Sequence, residues 1–217
     1  MAVTAADNVD EQTKHPLENE WTFWYDKRQQ RNRRAPGEKQ NYEANLKTVG
    51  IFGAVEDFWR YWNNVAAPSQ LIPGSNYHIF KTGIKPMWED THNKEGGKWV
   101  INLKSHNREM LDTLWQEVVL GLVGETLDPT NEICGAVCSI RKNADRIAVW
   151  NRRATDDSYI DELGEHLVRV IKAAGPPTNK VVMQYQVHSD ALKSGTSYEN
   201  PEKYNKTING VNHRGKR

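Results

Sequence analysis

The sequence predicts an α+β fold with a largely antiparallel sheet and helices packed on one of its faces. Three observations carry this. Apolar residues recur at helical spacing in the stretches 55–65, 107–123 and 157–173. Short strand-like runs alternate with these stretches. Two of the runs, 133–141 and 146–151, are parted only by Lys142-Asn143-Ala144-Asp145, which reads as a tight hairpin and hence an antiparallel pair. Helices on one face leave the opposite face of the sheet free to be a site.

Residues 1–14 are polar and acidic without a period, and read as a disordered arm. In Trp21-Thr22-Phe23-Trp24-Tyr25 the alternation of positions 21, 23 and 25 predicts a strand. A basic loop follows, from Lys27 through Arg33-Arg34 to the turn residues Pro36-Gly37. A second strand is expected at about 43–50. Along 55–65 the apolar positions Val55, Phe58, Trp59, Tyr61, Trp62 and Val65 span a stripe about 160° wide at ~100° per residue, more than a sheet-facing stripe needs. One edge of that helix is therefore expected to serve a partner. Leu71–Ser75 reads as a turn, Tyr77–Lys81 as a strand, 83–97 as a long loop and Lys98–Leu103 as a strand. The helix at 107–123 turns Leu111, Leu114, Trp115, Val118 and Leu122 to one side. Tyr159, Ile160, Leu163, Leu167 and Ile171 do the same in 157–173, which Gly175-Pro176-Pro177 ends. Lys180–Val187 is a strand. From 189 the chain is polar and reads as a flexible loop and tail. The domain proper is thus 15–188, between an arm (1–14) and a tail (189–217).

The 217 residues suffice for one domain with a real core. Lys plus Arg number 29 against 28 Asp plus Glu, so a non-specific duplex binder is excluded and any nucleic acid must be read by a local site. The first residues are neither basic nor apolar enough for a signal peptide, and no apolar run approaches the ~20 residues of a membrane span. A monomeric cytoplasmic protein with reduced thiols is expected. On a regular strand Cys134 and Cys138 would share a face, as buried thiols rather than metal ligands.

No HExxH, paired CxxC, EF-hand or phosphate-loop pattern occurs, and no Ser, His and acid grouping is evident, so neither enzymatic activity nor a metal or other cofactor is expected. Hydrolysis of a bound nucleotide would need a metal or general base that the sequence does not display. What it does display is eight tryptophans beside only four phenylalanines. Most indoles belong in a core, but two sit where stacking on a ligand makes sense. With 142–145 as the hairpin loop, Arg141 and Arg146 would face each other, a like-charge pair that an anion would relieve. Arg146, Ala148 and Trp150 would share a face with them, which suits a phosphate beside a base. In Pro86-Met87-Trp88-Glu89-Asp90 an indole in a polar loop adjoins carboxylates, which only accept hydrogen bonds. Guanine offers two neighbouring donors that one carboxylate can take.

His15-Pro16-Leu17, Trp21, Trp24-Tyr25, Val55-Glu56-Asp57-Phe58-Trp59 and Phe80-Lys81-Thr82-Gly83-Ile84-Lys85-Pro86-Met87-Trp88-Glu89-Asp90 resemble the translation initiation factor 4E family. So do Gly96-Gly97-Lys98-Trp99, Ile133-Cys134-Gly135-Ala136-Val137 and Ile147-Ala148-Val149-Trp150, in order over about 14–195. The resemblance implies a curved antiparallel sheet of about eight strands with three helices on its convex face, and a concave site for the 7-methylguanosine cap of mRNA. It makes Trp88 and Tyr42 the walls of a base sandwich and Glu89 the guanine-edge acceptor. Lys98, Arg141 and Arg146 would hold the phosphates, and Trp150 would touch the methyl group. His15, Pro16, Val55, Trp59, Glu117 and Leu120 would dock an amphipathic helix of a partner, either an initiation scaffold of the 4G type or a 4E-binding repressor. Tyr42 stands where initiation-type members carry Trp. With Thr22-Phe23-Trp24-Tyr25, Asn143 and Gln116 it is similar to the class-two, 4E-homologous members, some of which repress translation, whereas Arg146 keeps a basic residue many of those lose. Thr196 resembles a family phosphorylation site.

Overall fold

A computed structural model of the protein describes residues 14–27, 43–104, 108–175, 177, 180–194 and 201–209. Tyr42, the basic stretch 28–37, Thr196 and the arm 1–13 lie outside the described residues. The strands are β1 (Pro16–Lys27), β2 (Lys47–Ala54), β3 (Ser75–Lys81), β4 (Gly97–Lys104), β5 (Ile133–Ser139), β6 (Ala144–Asn151), β7 (Val181–Val187) and β8 (Tyr204–Ile208). They form one curved sheet in the order β2-β1-β3-β5-β6-β4-β7-β8, with every neighbouring pair antiparallel. The helices are α1 (Val55–Trp62), α2 (Arg108–Val123), α3 (Asp157–Ala173) and α4 (His188–Ser194).

Strand alternation divides the sheet into two faces. Trp21 and Phe23 of β1, Ile79 of β3, Trp99, Ile101 and Leu103 of β4, and Ile147 and Val149 of β6 point into the main core. There they meet Phe58 of α1, Leu114, Trp115 and Val118 of α2, and Ile160, Leu163 and Leu167 of α3. These side chains are nearly all buried to within a few per cent, and such burial stabilises by about 1.5–3 kcal/mol per large apolar residue. Trp99 is fixed further by its indole N–H, which donates to the Ile160 carbonyl at 2.9 Å. On α3, Asp156 accepts from the Tyr159 N–H and caps the first turn, and Gly175 at φ 120° closes the last. On α1 the wide stripe is used unevenly. Phe58 is buried and Trp59, Tyr61 and Trp62 are half-buried against the core, while Val55 stays 38% exposed.

The structure departs from the sequence reading in five places. The segment expected to open the second strand is a single 3-10 turn over Glu43–Asn45, and β2 runs Lys47–Ala54 instead. The hairpin loop comes two residues earlier than expected, because β6 already begins at Ala144. Arg146 therefore pairs with Ser139 and Asn102, not with Arg141. Cys134 and Cys138 lie on opposite faces, since a β-bulge between Ile133 and Gly135 shifts the alternation by one. Residues from 189 onward are not simply loop and tail: α4 continues from β7, and β8 pairs with β7 along five positions. Among the described residues there are four α-helices where three were implied.

Lys203 and Lys206 explain why β8 docks despite its polar sequence. Lys203 Nζ donates to Asp157 at 2.6 Å and to the Ala154 carbonyl at 2.8 Å, and Lys206 Nζ donates to Asp161 and Glu165 at 2.7 and 2.6 Å, so both lysines tie the strand to α3.

Candidate functional site

Register across the sheet assembles the concave face in rows. One row runs Thr22, Phe80, Gly135, Trp150, Lys98, Gln186, and the next runs Trp24, His78, Val137, Ala148, Val100, Gln184. A third is wholly polar up to β4: Asp26, Asn76, Ser139, Arg146, Asn102. The face thus has an apolar floor (Phe80, Val100, Val137, Ala148 and Trp150, with Trp24 and Trp88 packed against it) between polar margins. Phe80 meets Trp150 edge-on at 5.5 Å and Trp24 at 6.5 Å.

Trp88 and Glu89 are carried by the loop between β3 and β4, and the loop is ordered by Asn93 and Asp90. Asn93 is fully buried, and its amide donates to the Lys85 and Met87 carbonyls at 2.8 Å each. The Asp90 carboxylate accepts the Lys85 and His92 N–H groups at 2.9 Å each. Burial pushes the Asp90 carboxyl up, but these backbone donors outweigh it and hold it below its ordinary value. Asp90 is therefore occupied in holding the loop. Glu89 is exposed beside the half-buried Trp88 and has no hydrogen-bond partner among the described residues. Of the two adjacent carboxylates, it is the one left to accept from a ligand.

Lys98 lies between the indoles, its ammonium 5.8 Å from the Trp88 ring and 5.4 Å from the Trp150 ring. It is 6% exposed. Burial, then the charge of Arg146, brings its pKa down to about 8. An anion placed here would meet a cation that lacks a carboxylate partner among the described residues. Trp150 is 6% exposed, and its indole N–H has no partner among the described residues.

Arg141 lies just beyond β5. Its guanidinium donates through Nη1 to the Ile140 and Ser75 carbonyls at 2.8 and 3.3 Å, and through Nη2 to Asn76 Oδ1 at 2.8 Å. Arg146, Ala148 and Trp150 thus share one face as the alternation anticipated, with Lys98 opposite Trp150 on the neighbouring strand, and Arg141 reaches that face's polar margin through Asn76 rather than by facing Arg146.

The sequence reading did not single out His188. Its ring packs 4.2 Å from Trp150, and its Nδ1–H donates to the Asn93 carbonyl at 2.8 Å. Burial and the nearby Lys98 charge lower its pKa to about 3, so it supports Trp150 as a neutral ring. Asn93 and the Asp26–Asn76–His78 group were missed as well. Their signal was faint: Asp26, Asn76 and His78 are polar residues at strand positions where burial on the open face is not legible from local sequence.

On the opposite, convex side, the Val55 N–H donates to the His15 carbonyl at 2.9 Å, which brings His15 to the start of α1. His15 and Glu56 pair at 2.6 Å, and hydrogen bonds from His15 to the carboxylate lower the Glu56 pKa to about 2. His15, Pro16 and Val55 are exposed, and Trp59, Glu117 and Leu120 are half-buried. Among the described residues there is no cluster of three or more His, Cys, Asp or Glu that could hold a metal, and no helix long and apolar enough to cross a membrane.

Comparison with known proteins converges on one group. The family described as "Eukaryotic initiation factor 4E" matches residues 16–203. The bovine eukaryotic translation initiation factor 4E is 39% identical over 196 residues, covering 89% of this chain and 85% of its own, and the human protein is 38% identical over the same span. Among solved structures, Ascaris suum eIF4E-3 in complex with m7G cap superposes with a TM-score of 0.74 at 33% identity, over 89% of this chain and 98% of that one. Caenorhabditis elegans eIF4E-3, in complex with the 4E-binding protein Mextli, gives 0.72 at 36% identity, over 83% and 97%. With a family match over most of its length and relatives well above 30% identity, the chain belongs to the eukaryotic initiation factor 4E family.

Proposed function

We propose that this protein binds the 7-methylguanosine cap of mRNA on its concave face and acts in translation initiation through a helical partner held on its convex face. The observation that carries this is its likeness, across nearly the whole domain, to an eIF4E-3 solved with m7G cap. Methylation makes the guanine ring a cation. Trp88 and Tyr42 stack on its two faces, each worth about 1–3 kcal/mol, with a cation–π contribution that the unmethylated base lacks. Glu89 takes the two guanine-edge donors in charge-assisted bonds worth about 1.5–3 kcal/mol. Lys98, Arg146 and Arg141 hold the phosphates, and Trp150 lies against the methyl group. The unoccupied Glu89 carboxylate, and Lys98 between two indoles, support these roles.

His15, Pro16, Val55, Trp59, Glu117 and Leu120 receive the partner helix. The 4E-binding protein bound by the C. elegans neighbour supports a partner site on this fold. The relatives' designation as initiation factors supports recruitment rather than repression. The protein is a cytoplasmic binding protein and not an enzyme. Residues 15–188 form the cap-binding domain, with β8 added at the edge of its sheet. Titration with 7-methylguanosine triphosphate, followed by tryptophan fluorescence, tests the reading. Quenching that saturates with the methylated nucleotide and is much weaker with GTP is expected, and equal affinity for the two would overturn it.

A further inference from the structure

Beneath Arg141 lies a chain of polar groups whose direction is fixed by chemistry. His78 Nε2 lies 2.7 Å from Asp26 Oδ2, Asn76 Nδ2 donates to Asp26 Oδ1 at 2.8 Å, and Arg141 Nη2 donates to Asn76 Oδ1 at 2.8 Å. Asp26, Asn76 and His78 are 4%, 8% and 2% exposed. A carboxylate only accepts and a guanidinium only donates. The Asn76 amide must therefore turn its nitrogen to Asp26 and its oxygen to Arg141, and His78 must present an N–H to Asp26. Arg141 spends three of its five N–H groups on Ser75, Ile140 and Asn76. Two remain, one of them the buried Nε–H, which has no partner among the described residues.

A side chain as long as arginine keeps many rotamers unless something holds it, and ordering it on binding costs affinity. Here the ordering is done before a ligand arrives. We infer that His78, Asp26 and Asn76 are positioning residues that fix Arg141 in the orientation that receives a cap phosphate. This rests on the cap-binding reading above. The device sits at the polar margin of the concave face, away from the Trp88 and Glu89 loop, so it governs the phosphate part of the ligand and leaves the base alone.

The experiment compares two ligands, 7-methylguanosine triphosphate and the 7-methylguanosine nucleoside, by calorimetry on the full chain. In Asp26→Asn, either the Asn76 or the His78 donor meets an amide N–H, or His78 must carry its proton on Nδ1, which is buried with no partner among the described residues, so the chain is disrupted either way. The triphosphate is expected to bind about tenfold more weakly, with the nucleoside unchanged. The same substitution in an Arg141→Ala background is expected to have no further effect. The exchange Asp26→Asn with Asn76→Asp restores the donor order and recovers most of the loss. Equal weakening of both ligands, or of neither, would overturn the inference and leave cap binding standing. Failure of the unaltered protein to bind either ligand would overturn both. Should Asp26→Asn not fold, His78→Leu with the same two ligands, set against His78→Gln, which keeps an N–H donor, gives the same contrast.

Discussion

The Lys98 ammonium lies 5.8 Å from the ring of Trp88 and is almost wholly buried, so the cation proposed for a phosphate is held against the indole proposed for the base. In that proposal two parts of one ligand are read by neighbouring side chains. In the ligand-free protein burial brings the Lys98 pKa to about 8. A phosphate favours the ammonium, so binding takes up a proton wherever the free lysine is already neutral. The affinity ratio of 7-methylguanosine triphosphate to its nucleoside is expected to fall as pH rises through about 8, and to stay flat in Lys98→Arg, whose guanidinium does not titrate. The ratio removes any titration of the base itself, which both ligands share. Calorimetry between neutral pH and moderately alkaline pH measures it.

The two walls of the proposed sandwich would differ in strength, because an indole presents a better face to a cation than a phenol does. Trp88→Ala is expected to abolish retention on immobilised cap. Tyr42→Ala is expected to weaken binding by about 1–3 kcal/mol and Tyr42→Trp to tighten it. Calorimetric titration of the three variants with one cap analogue measures the order. A Tyr42→Trp protein no tighter than the original would count against residue 42 as a wall.

Arg146 faces Ser139 and Asn102 across its two neighbouring strands, on the polar row of the concave face. Phosphate contacts of this kind show as salt dependence. Arg146→Ala is expected to lower the slope of log affinity against log salt by about one for capped oligonucleotide. Fluorescence titrations across a salt series measure it. An unchanged slope would remove Arg146 from the phosphate site.

The hairpin shows where sequence reasoning ends. Strand alternation placed Arg146, Ala148 and Trp150 on one face from the sequence alone, and that grouping holds because β6 is regular. The pairing of Arg141 with Arg146 does not hold, because register depends on turn geometry and the turn falls two residues earlier, between Ser139 and Ala144. At the far end of the hairpin, the bulge between Ile133 and Gly135 puts Cys134 and Cys138 on opposite faces. The long helices were legible to within a residue because their stripes are unbroken over sixteen and seventeen positions. β8 was not legible, since its docking rests on ion pairs to α3 and not on an apolar period.

Gly135 directly follows that bulge and has no room for a side chain. A Cβ there would lie 2.4 Å from the Phe80 ring and 2.5 Å from the Ile79 carbonyl oxygen. Gly135→Ala is expected to destabilise the fold by about 1–3 kcal/mol, as overpacking does, and to disturb Phe80 under the base site. Thermal unfolding checks the first effect, and the quench amplitude with cap analogue checks the second.

On the convex face two residues separate partner binding from folding. Val55 begins α1 and is 38% exposed, whereas Trp59 is half-buried with its ring 4.9 Å from Phe58. A charge at position 55 meets water, so Val55→Asp is expected to change stability by less than about 0.5 kcal/mol. It would, however, place an unpaired carboxylate under the apolar face of a docked helix. Trp59→Ala removes part of the packing on Phe58 and is expected to cost stability as well as the partner. Capture of the 4E-binding helix by each variant, together with retention on cap resin, distinguishes the cases. Loss of the helix with cap retention intact in Val55→Asp is the expected result. A Val55→Asp protein that still holds the helix at full affinity would move the partner site away from the start of α1.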